Sequence, residues 1–281
     1  VKGGVFLEQG RKLRWLALDK TGTITHGQPV LTDGAAVDAL SPDAELPPMR
    51  QLAASLAARS DHPVSQAIAR AAAADGVALR DVAQFEALPG RGVRGQIDGQ
   101  PWSLGNWRLV QDLGLATPAL RARLEPWENQ GKTVVMLIDG SGVRALFAVA
   151  DTVKPGSRDA IAQLHAMGIR TLMLSGDNAA AAQAIARDVG LTEVRGNQLP
   201  EDKRQTVELL AAQGVVGMVG DGINDAPALA RADIGFAMGA LGTDTAIETA
   251  DVALMDDDLG KIAQFVRLSH ATHAVLVQNI V

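Results

Sequence analysis

The hydrophobic pattern of this chain changes character along its length. Residues 13–18 form an apolar run containing an aromatic residue, which stops at Asp19 and breaks at Gly22. Such a run predicts a buried strand that delivers a carboxylate to its C-terminal end. From 49 to 74 the chain is rich in alanine, with Leu and Ile at helical spacing, which predicts one or two helices. The interruption Ser60-Asp61-His62-Pro63 places a cap at Ser60 or Asp61 and a first-turn proline at Pro63. Between 77 and 107, short alternating runs at 84–88, 92–97 and 100–104 sit between glycines, with Asp98-Gly99 as a hairpin signal. A helical piece at 106–130 follows, then strands at 133–138 and 143–150 around Asp139-Gly140-Ser141-Gly142.

After Asp151 the period switches to strand–helix alternation. Helices are expected at 154–167, 178–189, 202–213 and 226–231, and strands at 169–174, 215–219 and 234–237. Alternation of this kind predicts a parallel sheet with crossover helices. The expected architecture is therefore one α/β domain built from residues 1–32 and 141–270, with an α+β domain inserted at 33–140. Residues 33–48, which mix Asp, Ser, Gly and proline, read as the boundary linker.

Composition narrows the function classes. The 281 residues are 47% hydrophobic and 21% charged, enough for a sizeable core and for two domains. With 26 basic against 32 acidic residues and no basic stripe, nucleic acid is not an expected partner. The absence of cysteine excludes a disulfide framework and a thiolate zinc site. No uninterrupted apolar stretch is long enough to cross a bilayer. The start, Val1-Lys2-Gly3-Gly4, carries no signal-peptide pattern, and no Lys, Arg, Asp or Glu follows Arg267. The sequence reads as a soluble piece of a longer chain, with 271–281 as the start of a truncated membrane helix.

Three loops share one chemistry, each behind a predicted parallel strand. Asp19 suits a nucleophile toward phosphorus or a magnesium ligand, and Thr21 and Thr23 offer hydroxyls beside it. Ser175-Gly176-Asp177-Asn178 offers a hydroxyl and a helix start for phosphate oxygens. In Gly220-Asp221-Gly222-Ile223-Asn224-Asp225, the two acids stand four apart around a tight turn and can face one Mg²⁺. Lys203, between the last two loops, can neutralise a transferring phosphoryl group. Singly, each loop reads as a cap or a turn. Their joint placement at the C-terminal edge of one sheet, where open α/β sheets bind ligands, points to phosphoryl chemistry.

Asp-Lys-Thr-Gly-Thr, Ser-Gly-Asp, Pro-x-x-Lys and Gly-Asp-Gly-Ile-Asn-Asp-Ala-Pro resemble the signature set of the P-type ATPases, carried on a haloacid-dehalogenase-like phosphorylation domain. Ser60-Asp61-His62-Pro63, Pro89-Gly90-Arg91-Gly92 and Gly105-Asn106 are similar to the nucleotide-binding domain of the heavy-metal branch. The resemblance implies that His62, Gly90, Gly92 and Asn106 hold ATP, with Asp177 fixing its loop and contacting nucleotide. It further implies that Asp19 is phosphorylated, with Mg²⁺ bridging Asp19, the Thr21 carbonyl and Asp221. Lys203, Ser175 and Thr21 then stabilise the phosphoryl oxygens, while Asn224 and Asp225 support the metal shell and loop.

Where the branch often carries an adenine-contacting glutamate, this chain has Ala57. Related phosphatases place a second aspartate two residues after the nucleophile. Thr21 occupies that position and cannot act as an acid or base at neutral pH, which favours a lasting phosphoenzyme. Lys2-Gly3-Gly4 and the 271–280 pattern look more like zinc, cadmium and lead exporters than copper ones. The expected partners are ATP, membrane and actuator domains, and a metal ion bound elsewhere, at the cytoplasmic face of a bacterial membrane. The alternatives are a copper-exporter fragment, a free-standing phosphatase of the same superfamily, and a non-enzymatic nucleotide-binding regulator.

Overall fold

Apolar runs that stop at glycine or at an acid build the first sheet. The computed structural model describes residues 1–37, 42–177, 179–220, 223–239 and 244–280. In chain order the elements are α1 (Gly4–Gly10), β1 (Leu13–Asp19), β2 (Thr25–Ala36), α2 (Pro42–Ala57), α3 (Pro63–Ala74), β3 (Ala83–Leu88), β4 (Gly92–Ile97), β5 (Gln100–Gly105), α4 (Trp107–Asp112), α5 (Pro118–Glu128), β6 (Thr133–Asp139) and β7 (Gly142–Val153). There follow α6 (Ser157–Ala166), β8 (Arg170–Leu174), α7 (Ala179–Val189), β9 (Glu193–Arg195), α8 (Pro200–Ala211), β10 (Val215–Gly220), α9 (Ala226–Arg231), β11 (Ile234–Met238), α10 (Asp244–Thr249), β12 (Val252–Leu254) and α11 (Gly260–Ile280). The chain divides into two units, Val1–Gly27 with Val153–Val281, and Gln28–Thr152.

The first unit is an α/β domain on a six-stranded sheet, ordered β12-β11-β10-β1-β8-β9 among the described residues. Its strands pair in parallel, and β1 lies between β10 and β8. Successive β1 side chains point to opposite faces. Leu16 and Leu18 join a core with α6, α7 and α11, whereas Trp15 and Ala17 join one with α8 and α9. Because both faces are covered, β1 and β11 are almost wholly buried, which explains why their sequences read as continuous apolar runs.

The second unit carries a six-stranded sheet ordered β2-β7-β6-β5-β4-β3, with antiparallel pairing from β3 through β7. Along β7, Ala145, Phe147 and Val149 pack with α2 and α3, while Leu146 and Ala148 pack with α4 and α5. Phe147 is fully buried; a side chain of that size contributes about 1.5–3 kcal/mol by leaving water. The fold class is thus a parallel α/β sheet with an inserted antiparallel α+β domain, as the strand–helix alternation and hairpin signals indicate.

Local differences from the sequence reading have simple causes. Residues 33–48 are not a linker where the structure describes them: 33–36 finish β2 and 42–48 begin α2. Pro42 fits the helix start, and the helix continues through Pro47 and Pro48, because its buried face (Leu52, Ala53, Leu56) holds it against the sheet. The elements α1, β9, α10 and β12 span three to seven residues each, too short to show a period. No described helix is long and apolar enough to cross a membrane.

Candidate functional sites in the two units

In the first unit, strand register brings the candidate residues to one edge. Asp19 ends β1 level with Leu174 of β8, so Ser175 follows beside it; on the other side Leu18 lies level with Val219, one residue before Gly220. After Asp19 the chain makes a tight turn through Lys20–Ile24, with Thr21 extended and Gly22 at a φ of +73°. That turn is pinned from the segment before α6 and from α6 itself: Lys154 Nζ donates to the Gly22 carbonyl at 2.7 Å and Ser157 Oγ to the Ile24 carbonyl at 3.0 Å. Thr21 is exposed on this turn, whereas Thr23 is buried and its hydroxyl has no hydrogen-bond partner among the described residues.

Lys203 arrives from the first turn of α8, whose start is set by Pro200 and by the Leu199 N–H donating to Asp202 Oδ2 at 2.9 Å. Its ammonium lies 2.5 Å from Asp19 Oδ1 and 2.9 Å from Asp225 Oδ1. All three side chains are buried. Burial works to lower the Lys203 pKa, but the charges of Asp19 and Asp225 and the hydrogen bonds to them outweigh it, so the group is held above its ordinary value. Lys203 therefore stays protonated at neutral pH.

Asp225 stands at the N-cap position of α9, yet its side chain makes no capping bond; it turns to Lys203 instead. Asn224 is exposed in the short turn before it. Ser175 is buried, with its Oγ accepting from the Asp177 N–H at 3.1 Å. The Asp177 carboxylate pairs with Lys20 at 2.9 Å, which ties the second loop to the first. Sequence reasoning missed Lys20 and Lys154. The signal for Lys20 was present, a basic residue directly after the candidate nucleophile and an acid in the neighbouring loop. Asp221 and Asn178 lie outside the described residues.

Magnesium takes hard oxygen donors, commonly one or two carboxylates together with substrate phosphate. The buried trio sets two carboxylates against one ammonium, an excess of negative charge that suits a divalent cation. Among the described residues no three metal-ligating side chains cluster, so on the side-chain oxygens the fit rests on the carboxylates of Asp19 and Asp225.

In the second unit a cleft of about 350 Å³ is lined by His62, Gly90, Arg91, Gly92, Asn106 and Thr133, among others. His62 itself caps α3, its Nδ1 accepting from the Val64 N–H at 3.3 Å, so the cap falls one or two residues later than Ser60 or Asp61. Ser60 contributes differently, accepting from the His62 N–H at 3.2 Å. An Nδ1 acceptor assigns the neutral ring its proton on Nε2. Asn106 caps α4 through Oδ1, which accepts from the Leu109 N–H at 3.2 Å, while its Nδ2 donates to the Gly90 carbonyl at 2.9 Å. Gly92 pairs with Gly105, and a Cβ at Gly92 would sit 2.2 Å from the Leu104 carbonyl oxygen. Asp177 belongs to the first unit and does not line this cleft. Ala57 is fully buried at the end of α2, among the apolar side chains of the core.

Comparison with known proteins agrees with this arrangement. A family model for haloacid dehalogenase-like hydrolases matches residues 13–233. The whole chain is 41% identical to 35% of a probable cadmium-transporting ATPase of Staphylococcus aureus. It is 42% identical to 37% of the probable copper-transporting ATPase PacS of Synechococcus elongatus. The chain thus spans well under half the length of the curated relatives it matches. Among solved structures, a zinc-transporting PIB-type ATPase in its E2.Pi state superimposes with a TM-score of 0.91 at 38% identity, covering all of this chain and 45% of that one. The catalytic domain of the CPx-ATPase CopB-B, described as changing conformation on nucleotide binding, superimposes with a TM-score of 0.72 at 27% identity over 95% and 94% of the two chains. On this evidence the chain belongs to the haloacid dehalogenase-like hydrolases and, within them, forms the phosphorylation and nucleotide-binding domains of a heavy-metal P-type ATPase.

Proposed function

We propose that this chain is the ATP-hydrolysing part of a pump that exports zinc, cadmium or lead, working through an aspartyl phosphate on Asp19. The observation that carries the reading is the buried Lys203 ammonium held between Asp19 and Asp225 at the C-terminal edge of the parallel sheet. In this reading a carboxylate oxygen of Asp19 attacks the γ-phosphorus in line, the bond from that phosphorus to the bridging oxygen breaks, and ADP leaves. Lys203 neutralises charge on the transferring group. The Ser175 and Thr21 hydroxyls donate to its equatorial oxygens, and Asn224 and Asp225 hold the third loop in place.

Asp19, the Thr21 carbonyl and Asp221 would hold Mg²⁺, which would supply charge neutralisation for the transferring group. His62, Gly90, Gly92 and Asn106 shape the nucleotide cleft of the inserted unit, and Asp177 keeps the nucleophile loop in register through Lys20. The larger protein, with membrane and actuator domains, would present these units at the cytoplasmic face. The likeness to the zinc-transporting structure and the Lys2-Gly3-Gly4 pattern support zinc-class metals. The 42% identity to a copper-transporting relative favours Cu⁺ as a second reading.

Acid-quenched incubation with γ-labelled ATP and Mg²⁺ tests the mechanism. The expected label is stable in acid, released by hydroxylamine, maps to the peptide bearing Asp19 and vanishes in Asp19→Asn. A label that survives that substitution would overturn the mechanism. Stimulation of hydrolysis in the full-length protein by zinc, cadmium or lead, against copper, decides the metal.

A further inference from the structure

The loop that walls the nucleotide cleft has a rigid backbone and one adjustable side chain. The Gly90 carbonyl accepts from Asn106 Nδ2, the Arg91 carbonyl accepts from the Asn106 N–H at 2.8 Å, and the Arg91 N–H donates to the Leu88 carbonyl at 2.9 Å. The Arg91 side chain is not held in the same way. It lines the cleft, and its Nε donates to Asp112 Oδ2 at 2.7 Å, with 42% and 51% of the two side chains exposed. An ion pair so open to water contributes little and exchanges readily for another anion. Among the described residues Arg91 is the one lining side chain with a permanent charge, and no carboxylate lines the cleft. The remaining polar side chains there are hydroxyls, His62 and Asn106, and both ends of the Asn106 amide are engaged. A guanidinium, by contrast, matches phosphate oxygens two at a time.

We propose that Arg91 reads the polyphosphate of the bound nucleotide, and that Asp112 latches it at the rim until phosphate oxygens take the place of the carboxylate. This rests on the cleft being the nucleotide site. Asn106 then acts as a positioning residue for the loop, through the Gly90 and Arg91 carbonyls, and the selectivity of the cleft for ATP over adenosine resides in Arg91. Because Asp112 sits on α4, which Asn106 also caps, latch and loop share one anchor.

Calorimetric titration of the whole chain with adenosine and with ATP tests this. Arg91→Ala is expected to weaken ATP about tenfold, the loss of a charge-assisted hydrogen bond, and to leave adenosine affinity unchanged. Asp112→Asn is expected to tighten ATP by releasing Arg91, again without effect on adenosine. The proposal is overturned if Arg91→Ala leaves ATP affinity intact or lowers both ligands alike, or if Asp112→Asn fails to tighten ATP. A wild-type chain that binds neither ligand overturns the nucleotide-site reading itself, so the two failures are distinguishable.

Discussion

Lys203 is the residue that holds the candidate phosphorylation site in its observed form. Removing one partner of a buried ion pair costs about 3–5 kcal/mol, because the remaining charges stay buried without compensation. Lys203→Met, which keeps most of the side-chain volume, is therefore expected to lower the urea-unfolding free energy by that order and to abolish phosphorylation. The pH dependence has a definite sign. The folded-state pKa of Lys203 is raised, so its contribution is fully present below the unfolded value of about 10.4 and is lost as pH rises through the folded one. The stability gap between wild type and Lys203→Met is thus expected to be flat from neutral pH to about 10 and to close above it. A gap that widens at high pH would contradict the assignment. Sequence alone offered Asp19, Lys203 and Asp225 as candidates from loop chemistry. It did not offer the pairing of Lys20 with Asp177, because that depends on how two loops from neighbouring strands face one another.

At the scale of the element, the β4–β5 hairpin and the loop before it shape the candidate nucleotide cleft. Gly92 and Gly90 make different demands there. A Cβ at Gly92 meets the Leu104 carbonyl and the Gly105 backbone, neither of which can move without breaking the β4–β5 ladder. A Cβ at Gly90 meets nothing within 4 Å, and only its φ of +67° disfavours a side chain. Gly90→Ala is expected to cost about 1 kcal/mol and leave ATP binding measurable. Gly92→Ala is expected to cost several times that and to abolish binding. Thermal melts and ATP titrations on the two variants check the order; equal effects would contradict it. The hairpin was legible in the Asp98-Gly99 dipeptide and the alternating runs beside it. The cap of α3 was legible only to within two residues, since Ser60 and Asp61 are favoured cap types and the loop geometry selects His62 instead.

For the whole molecule, two units with separate cores imply separable folding. The inserted unit has its own apolar clusters on both faces of its sheet. Its first and last residues, Gln28 and Thr152, lie on β2 and β7, which are neighbouring strands, so excision leaves the two ends close together. A fragment of residues 28–152 is expected to fold alone, giving dispersed amide resonances and a cooperative melt. An unfolded fragment would show that the core needs the rest of the chain. Such independence suits a nucleotide-binding insert that works against a phosphorylation domain and stays folded throughout.

The sequence by itself determined the architecture and the chemistry on offer: period and glycine breaks set the two sheets, and three acid- or hydroxyl-bearing loops marked one edge of the first. Those signals are local, so a single chain carries them. Tertiary structure alone decided which charges meet: Lys203 between Asp19 and Asp225, Lys20 against Asp177, Arg91 latched by Asp112. Each of those pairs joins positions brought together by strand order and helix packing, and no periodicity along the chain encodes that distance.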